Sequence, residues 1–136
     1  MLLSSRGNFI KNGHAGTSEY KTIFVTENGV KILEGNGNNH SLPDYAHTPE
    51  SIYAKMKSDG KTLHELRFYD KSGNPIIEIA YHPEPNINNG DRQTSVVHFH
   101  LYKGLIRMPA QLMSNNPEMK RKYAKYLKEF GLYDKC

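Results

Sequence analysis

Ile76-Ile77-Glu78-Ile79-Ala80-Tyr81-His82 and, after a loop, Val96-Val97-His98-Phe99-His100-Leu101-Tyr102 alternate apolar and polar side chains along their length. Successive side chains of a strand point to opposite faces. If the two segments pair, Ile77, Ile79 and Tyr81 share one face with Val97, Phe99 and Leu101. Glu78, Ala80 and His82 then share the other with His98, His100 and Tyr102. The same alternation extends upstream. Leu63 to Tyr69 sets Leu66 and Phe68 against Glu65 and Arg67, and Ser51 to Lys57 sets Ile52, Ala54 and Met56 against Tyr53, Lys55 and Lys57. Asp59-Gly60 and Asp70-Lys71-Ser72-Gly73-Asn74-Pro75 supply turn chemistry between these runs. Residues 51–103 are therefore expected to form a four-stranded antiparallel meander.

On the N-terminal side, Thr22-Ile23-Phe24-Val25 and Val30-Lys31-Ile32-Leu33 flank Asn28-Gly29, which predicts a hairpin over residues 20–34. Residues 1–19 hold few large apolar groups and read as a flexible arm. Gly35-Asn36-Gly37-Asn38-Asn39 breaks the chain after the hairpin. On the C-terminal side a short helix is expected from Pro109 to Met113. Asn116-Pro117 then offers a cap and a first-turn proline, Met119, Tyr123, Leu127 and Phe130 recur at helical spacing, and Gly131 is a stop. The expected fold is α+β: a four-stranded antiparallel meander with an N-terminal hairpin, packed against a C-terminal helix. Residues 20–136 make one domain, helical over 109–131.

The chain has 136 residues, enough for one core. Lysine and arginine number 18 against 14 acids, a net charge of +4 that favours an anionic partner, with RNA the natural candidate. No apolar run approaches the ~20 residues that span a bilayer, and Met1-Leu2-Leu3-Ser4 is too short for a secretory signal, so a soluble, cytoplasmic protein without a membrane partner is expected. Cys136 is the single cysteine, which excludes an intramolecular disulfide and a cysteine-rich zinc site. Lys120, Arg121, Lys122, Lys125 and Lys128 read as the solvated face of the last helix.

The polar sheet face collects Lys55, Arg67, Glu78, His82, His98 and His100. Titratable groups beside fixed cations suit acid/base cleavage of a phosphodiester: one group takes a proton from the attacking hydroxyl, another protonates the leaving oxygen, and cations stabilise the phosphate. Residues two apart on a strand stand ~6–7 Å apart, enough to flank a phosphate. His82 or His98 as base, His100 as acid and Arg67 as phosphate ligand form the expected catalytic set. Lys55, Glu78, Glu84, Tyr102 and Arg107 are the expected substrate contacts, and no metal or other cofactor is required. Two alternatives stay open. His98-Phe99-His100 is also a metal-ligand spacing that His82 or Glu84 would complete into a zinc site with an open position. The face could equally bind a host protein without catalysis. His14, His40 and His47 fall in loop-like segments and are expected to have no catalytic part.

Leu66-Arg67-Phe68-Tyr69-Asp70-Lys71-Ser72-Gly73-Asn74-Pro75-Ile76-Ile77-Glu78-Ile79-Ala80-Tyr81-His82, followed by Val97-His98-Phe99-His100, resembles the C-terminal part of the barnase/EndoU/colicin/RelE-like nuclease superfamily. The similarity is to versions carried by phage and polymorphic-toxin proteins and covers roughly residues 42 to 107. It implies a metal-independent ribonuclease with His82, His98, His100 and Arg67 as site positions.

Overall fold

The computed structural model describes residues 9–11, 14–16, 20–35, 42–46 and 48–136. His40 and His47 lie outside the described residues. Inside the expected arm, β1 (Phe9–Lys11) and β2 (His14–Gly16) pair antiparallel as a small two-stranded sheet. A mostly antiparallel sheet of eight strands forms the body. It contains β3 (Tyr20–Val25), β4 (Lys31–Gly35), β5 (Ile52–Met56), β6 (Leu63–Tyr69), β7 (Pro75–His82) and β8 (Val96–Lys103). Two short strands, β9 (Ile106–Arg107) and β10 (Gln111–Leu112), both pair with β8.

Three features depart from the sequence reading. The β3–β4 hairpin is continuous with the main sheet, because β4 runs parallel to β5 with Lys31 opposite Tyr53 and Ile32 opposite Ala54. The segment expected to be a short helix at Pro109–Met113 instead carries strand β10, whose Leu112 stands opposite His98. Two strand residues are too few to show a period, and the open backbone of β8 captures them. The C-terminal helix is also two helices, α1 (Pro117–Lys122) and α2 (Ala124–Glu129), separated at Tyr123. The expected cap is present: the Asn116 side chain accepts from the Met119 backbone N–H at 3.2 Å, with Pro117 in the first turn.

The turns are built by aspartates. The Asp59 carboxylate accepts from the backbone of Lys61 and Thr62, Asp70 from Ser72 and Asn74, and Asp91 from Gln93 and Thr94. Gly73 has φ +84°, and a Cβ there would meet the Ala46 carbonyl oxygen at 3.0 Å. That close approach, with Ala46 N–H donating to the Gly73 carbonyl at 2.8 Å, straps residues 42–46 across the sheet.

Apolar side chains of β5 to β8 point to one face, where Ala54, Leu66, Phe68, Ile77, Ile79, Val97 and Phe99 join Tyr123, Leu127 and Leu132 from the helical end in one core. The helices therefore lie on the opposite side of the sheet from the polar row. A second cluster, Tyr20, Leu33, Leu42, Tyr53 and Tyr69, sits beneath the strap. Glu129 ties helix to hairpin, accepting from the Thr26 hydroxyl at 2.8 Å and from the Asn28 side chain at 2.9 Å.

Candidate functional site

Register fixes which polar residues meet. Arg67 stands opposite Glu78 and Glu78 opposite His100, while Lys55 faces Glu65, Glu65 faces Ala80 and Ala80 faces His98. Residues opposite each other in an antiparallel pair share a face. The structure thus brings Arg67, Glu78, His98 and His100 onto one surface, in two adjacent rows.

This surface is buried, contrary to an open catalytic face. Glu78 is 0 % exposed and His98 0 %, with Arg67 and His100 at 7 %. The strap covers one end. Arg67 donates through Nε and Nη2 to Glu78 Oε1 and through Nη1 to the carbonyls of Leu42 and Pro43, and Tyr69 Oη also donates to Pro43. Those bonds occupy the guanidinium in the interior, so Arg67 is no substrate ligand here. Glu78 likewise faces protein, bridging Arg67 and Arg107, whose Nη1 donates to Oε2 at 3.2 Å. Burial works to raise the Glu78 pKa, but the Arg67 and Arg107 charges hold it below the usual carboxylate value. Tyr102 Oη reaches Glu78 at 3.5 Å, and burial pushes its pKa up to about 12, so it keeps its proton at neutral pH. Lys55, opposite Glu65, lies outside the cleft described next.

The other end of the surface opens into a cleft of about 470 Å³ lined by Glu84, Asn86, Ile87, His100, Arg107, Met108, Pro109 and Ala110. Its walls are local products of the sequence. Glu84 is held between Pro83 and Pro85, and Pro85–Ile87 coils into a 3-10 turn immediately after β7. Arg107 comes from β9, which folds back on β8 with Arg107 opposite Tyr102. Its side chain is 51 % exposed while anchored to Glu78. Two guanidiniums share one buried carboxylate, and Glu84 brings a second carboxylate to the same cleft.

His98 and His100 sit on a strand hydrogen-bonded on both sides, by β7 and by β10. His98 Nδ1 is 3.0 Å from the Val96 carbonyl, His100 Nδ1 2.8 Å from the Met108 carbonyl, and His82 Nδ1 2.9 Å from the Pro83 carbonyl. A carbonyl only accepts, so each Nδ1 carries a proton, and in a neutral ring the lone pair then lies on Nε2. Burial holds the His98 pKa down to about 4, leaving a neutral ring. Its Nε2 is buried without a hydrogen-bond partner and lies 3.9 Å from Glu84 Oε2. One ligand atom from each of Glu84, His98 and His100 lies within 4.8 Å of the other two. His82 is the neighbour behind this trio, edge-on to His98 with ring centroids 4.6 Å apart.

Sequence reasoning missed His64, whose ring stacks on His82 at 5.0 Å. Strict alternation places it on the apolar face with Leu66. The register slips between Lys55 and Met56, however, setting Lys55 opposite Glu65 but Met56 opposite Leu63, so His64 is the extra residue of a β-bulge and its ring is redirected. A histidine next to the Asp59-Gly60 turn was the available signal. Burial, then the nearby His82, lowers its pKa. The side chain of His14 is not among the described residues.

No family model matches this chain, and no curated protein and no solved structure is significantly similar to it. No helix among the described residues is long and apolar enough to cross a membrane.

Proposed function

We propose that the protein is a ribonuclease whose reaction takes place in the Glu84–His100–Arg107 cleft. The observation that carries this reading is the meeting, on one cleft, of proton-handling groups with a half-exposed arginine backed by a buried carboxylate. The excess of lysine and arginine and the likeness of residues 42–107 to BECR-type phage and toxin nucleases support it.

In the reaction, the ribose 2′ oxygen bonds to phosphorus while the bond from phosphorus to the 5′ oxygen breaks. The 2′ hydroxyl loses its proton to the Glu84–His98–His100 corner, which passes that proton on to the departing 5′ oxygen, giving a 2′,3′-cyclic phosphate and a 5′ hydroxyl. Arg107 binds the phosphate oxygens in its fork and stabilises the charge that gathers on them. His98 has no exposed surface, so it acts from behind Glu84 and His100 and does not itself touch the ribose. Arg67 and Glu78 position Arg107.

Replacing the corner residue that lines the cleft tests the reading. His100→Ala is expected to slow RNA cleavage by ~10²–10⁴-fold, the range for losing a general acid or base. Glu84→Gln, on a loop outside the core, should show a large loss with an unchanged unfolding midpoint. RNA left intact by the wild-type protein, or cleaved as fast by both variants, overturns the proposal. In that case the host-protein binding reading takes its place.

A further inference from the structure

We propose that Glu84, His98 and His100 form a binding site for a zinc-class transition-metal ion. The claim goes beyond RNA cleavage, and it departs from the metal-free chemistry that the family resemblance implies.

The first argument is an orphaned atom. His98 Nε2 is buried, bears a lone pair and has no hydrogen-bond partner, although leaving a buried polar atom unpaired is destabilising. An imidazole that only packed there would be replaced at lower cost by an apolar ring. The nitrogen lies 3.9 Å from Glu84 Oε2. The second argument is orientation. Both ligand histidines give their Nδ1 proton to a backbone carbonyl, Val96 for one and Met108 for the other, which is how proteins fix the tautomer and ring angle of metal-binding histidines. The third is span. Ligand atoms at ~2.0–2.2 Å from a tetrahedral zinc stand ~3.4 Å apart, and those of the trio lie within 4.8 Å of one another, so they must draw in by at most ~1.4 Å to close on one ion.

The donor set selects the ion. Two imidazole nitrogens and one carboxylate favour zinc and its first-row neighbours over magnesium or calcium, which ask for oxygen ligands. Three protein ligands leave one tetrahedral position unfilled, as in catalytic zinc sites. Glu84 and His100 line the same cleft as Arg107, so an ion held by them would stand at its wall. A water bound there ionises near neutral pH. His82 is a neighbour of the site and not a ligand.

The test is zinc titration of the full chain, freed of metal, by calorimetry, with elemental analysis after dialysis and the visible spectrum of the cobalt form. The expected result is one equivalent per chain, cobalt bands of a four- or five-coordinate ion, and an unfolding midpoint that rises with zinc. Glu84→Gln and His100→Gln should each weaken zinc binding by ~100-fold or more, beyond the 10–100-fold typical of second-shell losses, while remaining folded without metal. No stoichiometric uptake by the folded wild type, or wild-type affinity in either variant, overturns the site. Binding is read without RNA. A protein that takes up zinc but leaves RNA intact therefore keeps the site and loses the nuclease reading, and the reverse outcome separates them equally.

Discussion

The two faces of the central sheet are both buried, but for different reasons. On one face Ala54, Leu66, Phe68, Ile77, Ile79 and Phe99 meet the helices through apolar contact alone. On the other, Arg67, Glu78, His98 and His100 are withdrawn from water beneath a strap and a loop, and each needs a specific partner. The apolar face gains from burial at roughly 25 cal/mol per Å², whereas charged groups there pay a desolvation cost that their pairing must offset. A chain that buries histidine and arginine at the centre of its sheet, and leaves one imidazole nitrogen unpaired, gives up stability there.

The largest expected effect breaks the apolar face. Phe99→Ala removes a fully buried ring from the core, and chemical denaturation should show a loss of about 3–5 kcal/mol. A loss under 1 kcal/mol would mean that the helices do not pack as described.

Glu78→Ala breaks the polar face and should cost somewhat less, about 3 kcal/mol, because it leaves the Arg67 charge buried without its anion. It also unties Arg107. RNA cleavage should fall mainly through weaker substrate binding, seen as a raised KM. An unchanged KM would remove Arg107 from the phosphate.

Glu65 sharpens the contrast with the smallest effect. Burial, and then the charge of Glu78, raise its pKa above 4.5. A raised folded-state pKa contributes stability below the unfolded value, and that contribution is lost as pH rises through the folded value. Glu65→Gln cannot ionise, so its unfolding midpoint should gain on the wild type progressively above pH 4.5. A gap that stays constant with pH would show that Glu65 ionises in the fold as readily as in water.

These comparisons also mark what the sequence made legible. Period-two alternation identified β5 to β8 and the face on which Arg67, Glu78, His98 and His100 meet, because alternation is a local property of each strand. The aspartate turns and the Asn116 cap were legible for the same reason. Burial of the polar face was not, since it depends on Ala46 meeting Gly73 and on Leu42 and Pro43 reaching Arg67, contacts between segments far apart in the chain. The redirected ring of His64 was hidden by a bulge that only pairing with β5 creates. Arg67 bears the same lesson: its residue type announced a phosphate ligand, and its surroundings made it an internal counter-ion.

The most direct measurement of the central claim is the chemistry of the RNA ends left by the purified full chain, freed of metal. The account predicts 2′,3′-cyclic phosphate and 5′ hydroxyl ends, and no cut at a position carrying a 2′-deoxyribose, where the attacking oxygen is missing. Cleavage that proceeds at the 2′-deoxy position, or no cleavage of any RNA, would contradict it.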